Sequence, residues 1–145
     1  MTDAKDFFTA FKGEHKLCAT KCCICHKTLT DASSIEFGIG PTCRKNYKYD
    51  DAPVITKTKE KKDLIEAIHA TFPDRMAASL IKKIEEKDMT PTFSREIAKC
   101  TVYYASSIVG TAEAGRMIQC ISVLRCLGYE NLATRLLYKA YDHKL

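Results

Sequence analysis

The chain lacks the features that direct a protein into or across a membrane. Residues 1–6 contain neither the apolar stretch nor the cleavage site of a signal peptide. No run in the sequence approaches the roughly 18 consecutive apolar residues that a membrane-spanning helix needs. We therefore expect a cytoplasmic protein that has no membrane partner.

Recognisable catalytic motifs are missing as well. The sequence contains no Gly-x-Ser-x-Gly, no glycine-rich phosphate loop ending in Lys-Ser or Lys-Thr, and no His-Glu-x-x-His. The zinc deaminase pattern, in which a His-x-Glu or Cys-x-Glu precedes Pro-Cys-x-x-Cys, is also absent. His69 and His143 have no companion residues at a catalytic spacing. We expect that the protein is not an enzyme.

Composition restricts the fold only loosely. The chain has 145 residues, of which 46% are hydrophobic and 28% charged, values that are ordinary for a globular protein. This length suits one domain, or a small module joined to one modest domain. The net charge of +5 is mildly basic and is compatible with either nucleic acid or an acidic protein as the partner.

Cysteine is abundant and unevenly distributed. Of the eight cysteines, five lie between residues 18 and 43, and Cys100, Cys120 and Cys126 lie in stretches with helical spacing. In a cytosolic protein this distribution predicts metal ligands in the first group and buried thiols in the second.

The first group contains a metal-binding pattern. Cys22 and Cys25 form a C-x-x-C pair, and Cys43 follows a Gly-x-Gly-Pro turn at residues 38–41. A C-x-x-C turn points two sulfur atoms at one point, and zinc is held tetrahedrally by four such ligands. Glycine and proline suit the second turn, because glycine accepts positive φ and proline fixes its own φ. The sequence thus predicts one structural Zn²⁺.

The fourth ligand is less clearly specified, since no cysteine follows Cys43 at the C-x-x-C spacing. Cys18, four residues before Cys22, is the preferred choice, and His15, Cys23 and His26 remain open as alternatives. The predicted ligand set is Cys18, Cys22, Cys25 and Cys43.

The same stretch resembles a small zinc-finger family of unknown function, over residues 18–47. That family is frequent in bacteriophage and actinobacterial proteins and is often attached to nucleic-acid-processing or unknown domains. The matching residues are Cys22, Cys25, Lys27, Leu29, Thr30, Asp31, Ser34, Ile35, Gly38, Ile39, Gly40, Pro41 and Cys43. His26 departs from the pattern, which usually has glycine there. The resemblance implies a zinc module, a phage-like accessory role and, for a phage-encoded chain, the host cytoplasm. It implies no reaction.

A basic and aromatic segment follows Cys43 and predicts contact with DNA or RNA. Cations can neutralise phosphates, and aromatic rings can stack on exposed bases. The candidate nucleic-acid-binding residues are Lys21, Lys27, Arg44, Lys45, Tyr47 and Lys48.

A protein-interaction role is the alternative. In it, the chain is an adaptor or an inhibitor of a host enzyme, the zinc is purely structural and the helical domain binds the partner. The contact would use exposed aromatic residues, either those of the N-terminal helix or a tyrosine pair further on. These residues are Phe7, Phe8, Phe11, Tyr103 and Tyr104. The main interpretation of the three phenylalanines is that they pack on the finger or on the helical domain, and their exposure as a partner-binding or base-stacking surface is the alternative. The sequence does not indicate an oligomeric state.

The expected fold is mainly α, with a small knuckle-like or ribbon-like zinc module followed by a bundle of about five helices. Residues 1–50 hold an N-terminal helix and the zinc module, residues 51–62 form a linker, and residues 63–145 form the helical domain. Helix ends are marked by Asp31 and Thr90 as N-caps, by Gly128 as a stop, and by Thr111 as the cap of the fourth bundle helix.

Overall fold

A computed structural model describes residues 4–15, 19–24, 27–40, 58–86, 90–109, 111–112 and 114–142. Within these ranges the backbone is mainly helical, as expected. The helices are α1 (Ala4–His15), α2 (Ala32–Phe37), α3 (Thr58–Thr71), α4 (Asp74–Glu86), α5 (Pro91–Ile108), α6 (Met117–Cys126) and α7 (Glu130–Asp142), with a 3₁₀ turn at Ala114–Arg116. An isolated antiparallel bridge joins Lys21 to Thr28.

The short helix α2 has the caps that the sequence indicates. Asp31 is extended and its Oδ2 accepts a hydrogen bond from the Ser34 amide at 3.0 Å. Gly38 ends the helix with φ of 72°, and its amide donates to the Ser34 carbonyl at 2.8 Å. A left-handed residue at this position turns the chain sharply and satisfies a terminal carbonyl. Glycine is preferred there because it has no Cβ to clash.

The structure shows the three residues that were expected to mark helix ends in the bundle, and two of them do so. The Thr90 hydroxyl accepts from the Phe93 amide at 3.1 Å, which confirms the cap of α5. Gly128 has φ of 94° and closes α6, with the Tyr129 amide donating to the Leu124 carbonyl. The expectation for Thr111 was wrong, because its hydroxyl donates to the Ile108 carbonyl and α6 begins only at Met117. Thr111 is therefore bonded to the last residue of α5 and does not cap α6.

Amphipathic spacing places the bundle helices around one apolar core. Helix α3 packs on α4 and α6, α5 packs on α1 and α6, and α7 packs on α6. Among the largest fully buried side chains are Leu64, Ile68, Phe72, Leu80, Ile84, Phe93, Ile97, Met117 and Leu124. The α4 face at residues 76, 80 and 84 is buried as its i, i+4, i+8 spacing indicates.

The aromatic residues of α1 belong to this core. Phe8 and Phe11 are buried, and the Phe11 ring meets Phe72 edge to face at 6.2 Å. Phe72 in turn lies 4.8 Å from the ring of Tyr104. Their exposure as a partner surface is therefore wrong for Phe8, Phe11, Tyr103 and Tyr104, all of which are buried. The side chain of Phe7 lies outside the described residues.

The N-terminal segment and the bundle share a continuous set of buried residues, including Phe11, Cys22 and Ile39 together with the bundle core. Helix α3 begins at Thr58, inside the segment expected to be a linker. The division into modules stays a prediction, since residues 41–57 lie outside the described part of the chain. Among the described helices, none has the length and apolar character needed to cross a bilayer.

Candidate metal centre

The C-x-x-C pattern begins in a tight hairpin. We call the described residues between 19 and 29 the knuckle. The Leu29 amide donates to the Thr20 carbonyl at 2.9 Å, and the Cys22 amide donates to the Lys27 carbonyl at 2.9 Å. These two bonds flank the bridge between Lys21 and Thr28. Residues 20–22 and 27–29 therefore run antiparallel on either side of the predicted C-x-x-C pair, an arrangement that suits two ligands of one metal.

The described part of the Gly-x-Gly-Pro stretch, residues 38–40, lies beside this hairpin. The Cys22 side chain has an exposed fraction of 0%. A Cβ built on Gly40 would lie 4.0 Å from the Cys22 Sγ, and the Gly38 carbonyl accepts a hydrogen bond from the Cys23 amide at 3.2 Å. The backbone at residues 38–40 thus lies beside Cys22, although these residues are distant from it in sequence.

Of the four predicted zinc ligands the structure describes Cys22, a buried thiol with the glycine turn at residues 38–40 beside it. Buried thiols on neighbouring turns are the donors that a structural zinc uses, so the site stays a prediction that rests on this one described ligand. Cys22 would be one ligand, and Cys25 and Cys43 follow closely on the two segments that approach it. Cys18, Cys25 and Cys43 lie outside the described residues, as do His26 and the side chain of His15. The ligand set stays a prediction.

Among the described residues there is no group of three or more histidine, cysteine, aspartate or glutamate side chains arranged for a metal. Three of the four predicted ligands fall outside those residues. Cys23, the fourth-ligand alternative that the structure does describe, is buried and has an exposed fraction of 1%.

Helix α5 holds the knuckle through two side chains that the sequence did not assign to this site. The Ala19 amide donates to the Tyr103 hydroxyl at 3.4 Å, and the Ser106 hydroxyl donates to the Lys21 carbonyl. The partners are 84 and 85 residues apart in the chain, so no local pattern could reveal them. The one available signal was their i, i+3 spacing, which places Tyr103 and Ser106 on the same side of a helix.

Two residues of helix α1 contact the Tyr103 ring. The rings of Phe8 and Tyr103 meet edge to face at 5.8 Å. The Lys12 ammonium lies 4.2 Å from the Phe8 ring centre and 5.1 Å from that of Tyr103. Such ring contacts restrict the orientation of the tyrosine and hence the position of its hydroxyl.

The predicted nucleic-acid-binding residues are only partly described. Lys21 and Lys27 are exposed and lie on the two arms of the knuckle. Arg44, Lys45, Tyr47 and Lys48 lie outside the described residues, so the structure does not relate them to these lysines. Contact with nucleic acid stays a prediction.

The other three cysteines lie on the bundle helices α5 and α6. Cys100 and Cys120 are completely buried free thiols, as expected, and Cys126 is half-buried. Burial raises the pKa of the Cys120 thiol from its usual 9.0 to about 12. Burial, together with the nearby Glu96 carboxylate, holds the pKa of Cys100 well above its usual range. Such thiols are protonated at neutral pH and poorly nucleophilic.

Comparison with known proteins gives one finding. Residues 12–48 match a family described as a family of unknown function (DUF6011). The matched segment includes the knuckle and α2 but neither Tyr103 nor Ser106. No curated protein and no solved structure matches the chain.

Proposed function

We propose that the chain is a non-enzymatic, phage-like accessory protein that binds nucleic acid through a zinc-stabilised knuckle. The observation that carries the proposal is the division of the knuckle into two sides. Cys22 is buried and the adjacent Lys21 carbonyl accepts a hydrogen bond from Ser106 of α5, whereas the side chains of Lys21 and Lys27 are exposed. A single structural zinc would hold Cys22 and its predicted companions and so fix the two lysine-bearing arms.

The chemistry is electrostatic contact combined with stacking. The Lys21 and Lys27 ammonium groups would neutralise phosphates, and each neutralised phosphate releases condensed counterions. The segment after Cys43 adds Arg44, Lys45 and Lys48 as cations and Tyr47 as a ring that can stack on a base. Stacking accepts any base, which suits an accessory protein that recognises DNA or RNA without a strict sequence.

The burial of aromatic residues favours this proposal over a protein-interaction adaptor or an inhibitor of a host enzyme. Four of the five aromatic residues considered for that contact lie in the core. The exposed large hydrophobic residues among those described are Ile35, Ile118 and Tyr138, which lie on three different helices. Hot spots for protein binding are normally clustered aromatic anchors.

The test is binding of the zinc-loaded full chain to labelled single-stranded DNA, duplex DNA and RNA over a series of salt concentrations. We expect a dissociation constant in the micromolar range or below. The slope of log affinity against log salt should shrink by about 0.7–0.9 for each lost phosphate contact. The variants are Lys21→Ala/Lys27→Ala and Arg44→Ala/Lys45→Ala.

A matched control is Lys62→Ala/Lys82→Ala, which removes two exposed lysines from α3 and α4. It changes the net charge by the same amount but leaves the knuckle intact, so its slope should stay close to that of the wild type. Absence of binding even at low salt would overturn the proposal. A slope that falls equally in the control would show that only the net charge matters.

A further inference from the structure

We propose that helix α5 positions the metal ligands. Its side chains Ser106 and Tyr103 would hold the backbone of the zinc knuckle in place. In this arrangement, zinc binding and the packing of the knuckle on the bundle stabilise each other. The inference rests on the zinc site of the proposed function but not on nucleic-acid binding. It concerns residues outside the matched segment 12–48.

Ser106 carries the first part of the argument. Hydroxyl side chains inside a helix usually donate to the carbonyl four residues earlier. Thr101 and Ser107 do this in α5, donating to Ile97 and Tyr103 at 2.9 Å and 2.8 Å. Ser106 is buried and donates instead to the carbonyl of Lys21, the residue immediately before the ligand Cys22. Its hydroxyl therefore restrains the backbone next to that predicted ligand.

Tyr103 supplies a second attachment on the same arm. Its hydroxyl accepts a hydrogen bond from the Ala19 amide at 3.4 Å, three residues before Cys22. Phe8 and Lys12 on α1 contact the tyrosine ring and hold it in place. The arm leading to Cys22 is therefore attached to α5 at two points.

Gly38, which lies outside the knuckle at the end of α2, packs against the same helix. A Cβ built on Gly38 would lie 2.9 Å from the Ser106 Cβ and 3.2 Å from the Tyr103 Cα. The Gly38 carbonyl also accepts from the Cys23 amide. Ser106 thus contacts both segments that carry predicted ligands, which sets their separation before a metal arrives.

Preorganisation of this kind has a measurable consequence. Groups behind the ligands orient them, and removing such groups commonly weakens metal binding. Any ligand that binds only the folded form raises the stability of that form. Zinc should therefore raise the melting temperature of the bundle, and loss of the α5 contacts should weaken zinc binding.

The experiment compares Ser106→Ala with Ser107→Ala and Tyr103→Phe with Tyr104→Phe, in the full chain. Each pair removes the same atoms from neighbouring residues of α5, and the first member of each pair makes the hydrogen bond to the knuckle described above. Zinc affinity is measured by competition with a chromophoric chelator, and far-UV circular dichroism checks the helix content. Losing one hydrogen bond should weaken zinc binding about 3- to 10-fold. The controls should stay within about twofold of the wild type.

A second readout does not need zinc. The Leu29 amide, which closes the knuckle, should exchange with solvent faster in Ser106→Ala than in Ser107→Ala, with or without metal. If the wild type binds no zinc but the two variants still differ in exchange rate, the zinc proposal is overturned. The attachment of the knuckle to α5 would then still hold. Equal zinc affinity and equal exchange in each pair would overturn the inference. Should Ser106→Ala fail to fold, the Tyr103→Phe and Tyr104→Phe pair decides.

Discussion

Gly38 and Ser106 lie so close together that no side chain fits between them. A Cβ on Gly38 would be 2.9 Å from the Ser106 Cβ, and Gly38 has φ of 72°. Real Cβ atoms essentially never approach so closely, and residues with a Cβ rarely adopt this backbone conformation. The contact joins the end of α2 directly to α5, across a large separation in the sequence.

Gly38→Ala should therefore be strongly destabilising. The left-handed backbone costs about 1–2 kcal/mol for a residue with a Cβ, and the overlap with Ser106 costs a further ~1–3 kcal/mol. Urea unfolding followed by circular dichroism would measure the sum. The Gly38→Ala change should cost less in a Ser106→Gly background than in the wild type, because the clashing atom is then absent while the strained φ remains.

Gly13→Ala is the matched control, since Gly13 is exposed within α1 and a Cβ there would meet no atom within 4 Å. It should stabilise the protein by about 0.5–1 kcal/mol, because alanine favours a helix interior over glycine. A Gly38→Ala variant as stable as the wild type would contradict the close approach to α5.

Metal content should depend on four side chains. Cys22→Ser, Cys25→Ser and Cys43→Ser should each abolish stoichiometric zinc, because zinc requires four ligands and thiolate sulfur is a strong donor. Of Cys18, Cys23, His15 and His26, only one substitution should do the same, and we expect it to be Cys18→Ser. Inductively coupled plasma mass spectrometry on purified variants gives the count.

Cys23→Ser is the informative comparison within that set. Cys23 is as deeply buried as Cys22 and adjacent to it, so it tests whether burial alone explains the loss of metal. Full zinc occupancy in every cysteine variant would rule out the metal centre. Loss of metal from Cys23→Ser but not from Cys18→Ser would reassign the fourth ligand.

Phe11→Ala should lower the free energy of unfolding by about 3–5 kcal/mol, as is usual when a buried phenylalanine is truncated. The Phe11 side chain is 1% exposed and contacts the ring of Phe72, so the remaining cavity would lie between α1 and the bundle. Chemical denaturation at one temperature measures the difference. Tyr138→Ala is the control, because that side chain is 62% exposed and should cost little. Similar losses in both variants would argue against the docking of α1.

Alkaline pH should destabilise the bundle through Cys120. Burial raises the pKa of its thiol from 9.0 to about 12, so the folded protein keeps this proton over a pH range in which the unfolded chain releases it. The stabilising contribution is complete below pH 9 and is lost as the pH rises towards 12. Cys120→Ala removes this titration, so the wild type should lose more stability above pH 9 than the variant does. Parallel losses in the two proteins would contradict the assignment.

The helices could largely be predicted because their signals are local. The apolar spacing of Met76, Leu80 and Ile84 marks one face of a helix, and Thr90 and Gly128 mark helix ends by their own backbone chemistry. The predicted start of α6 was wrong, although it used the same kind of local signal. Thr111 is an adequate cap in isolation, but in the folded chain its hydroxyl is bonded to the end of α5.

The sequence by itself determined the helical bundle, the capping of α2 and the cysteine pattern that predicts zinc, because each depends on residues a few positions apart. Only the tertiary structure decided that Phe8, Phe11, Tyr103 and Tyr104 are buried, and that Ser106 and Tyr103 hold the knuckle. An aromatic residue with helical spacing suits a core and a binding surface equally well. The choice depends on which distant segment covers it, and that is settled when the chain packs.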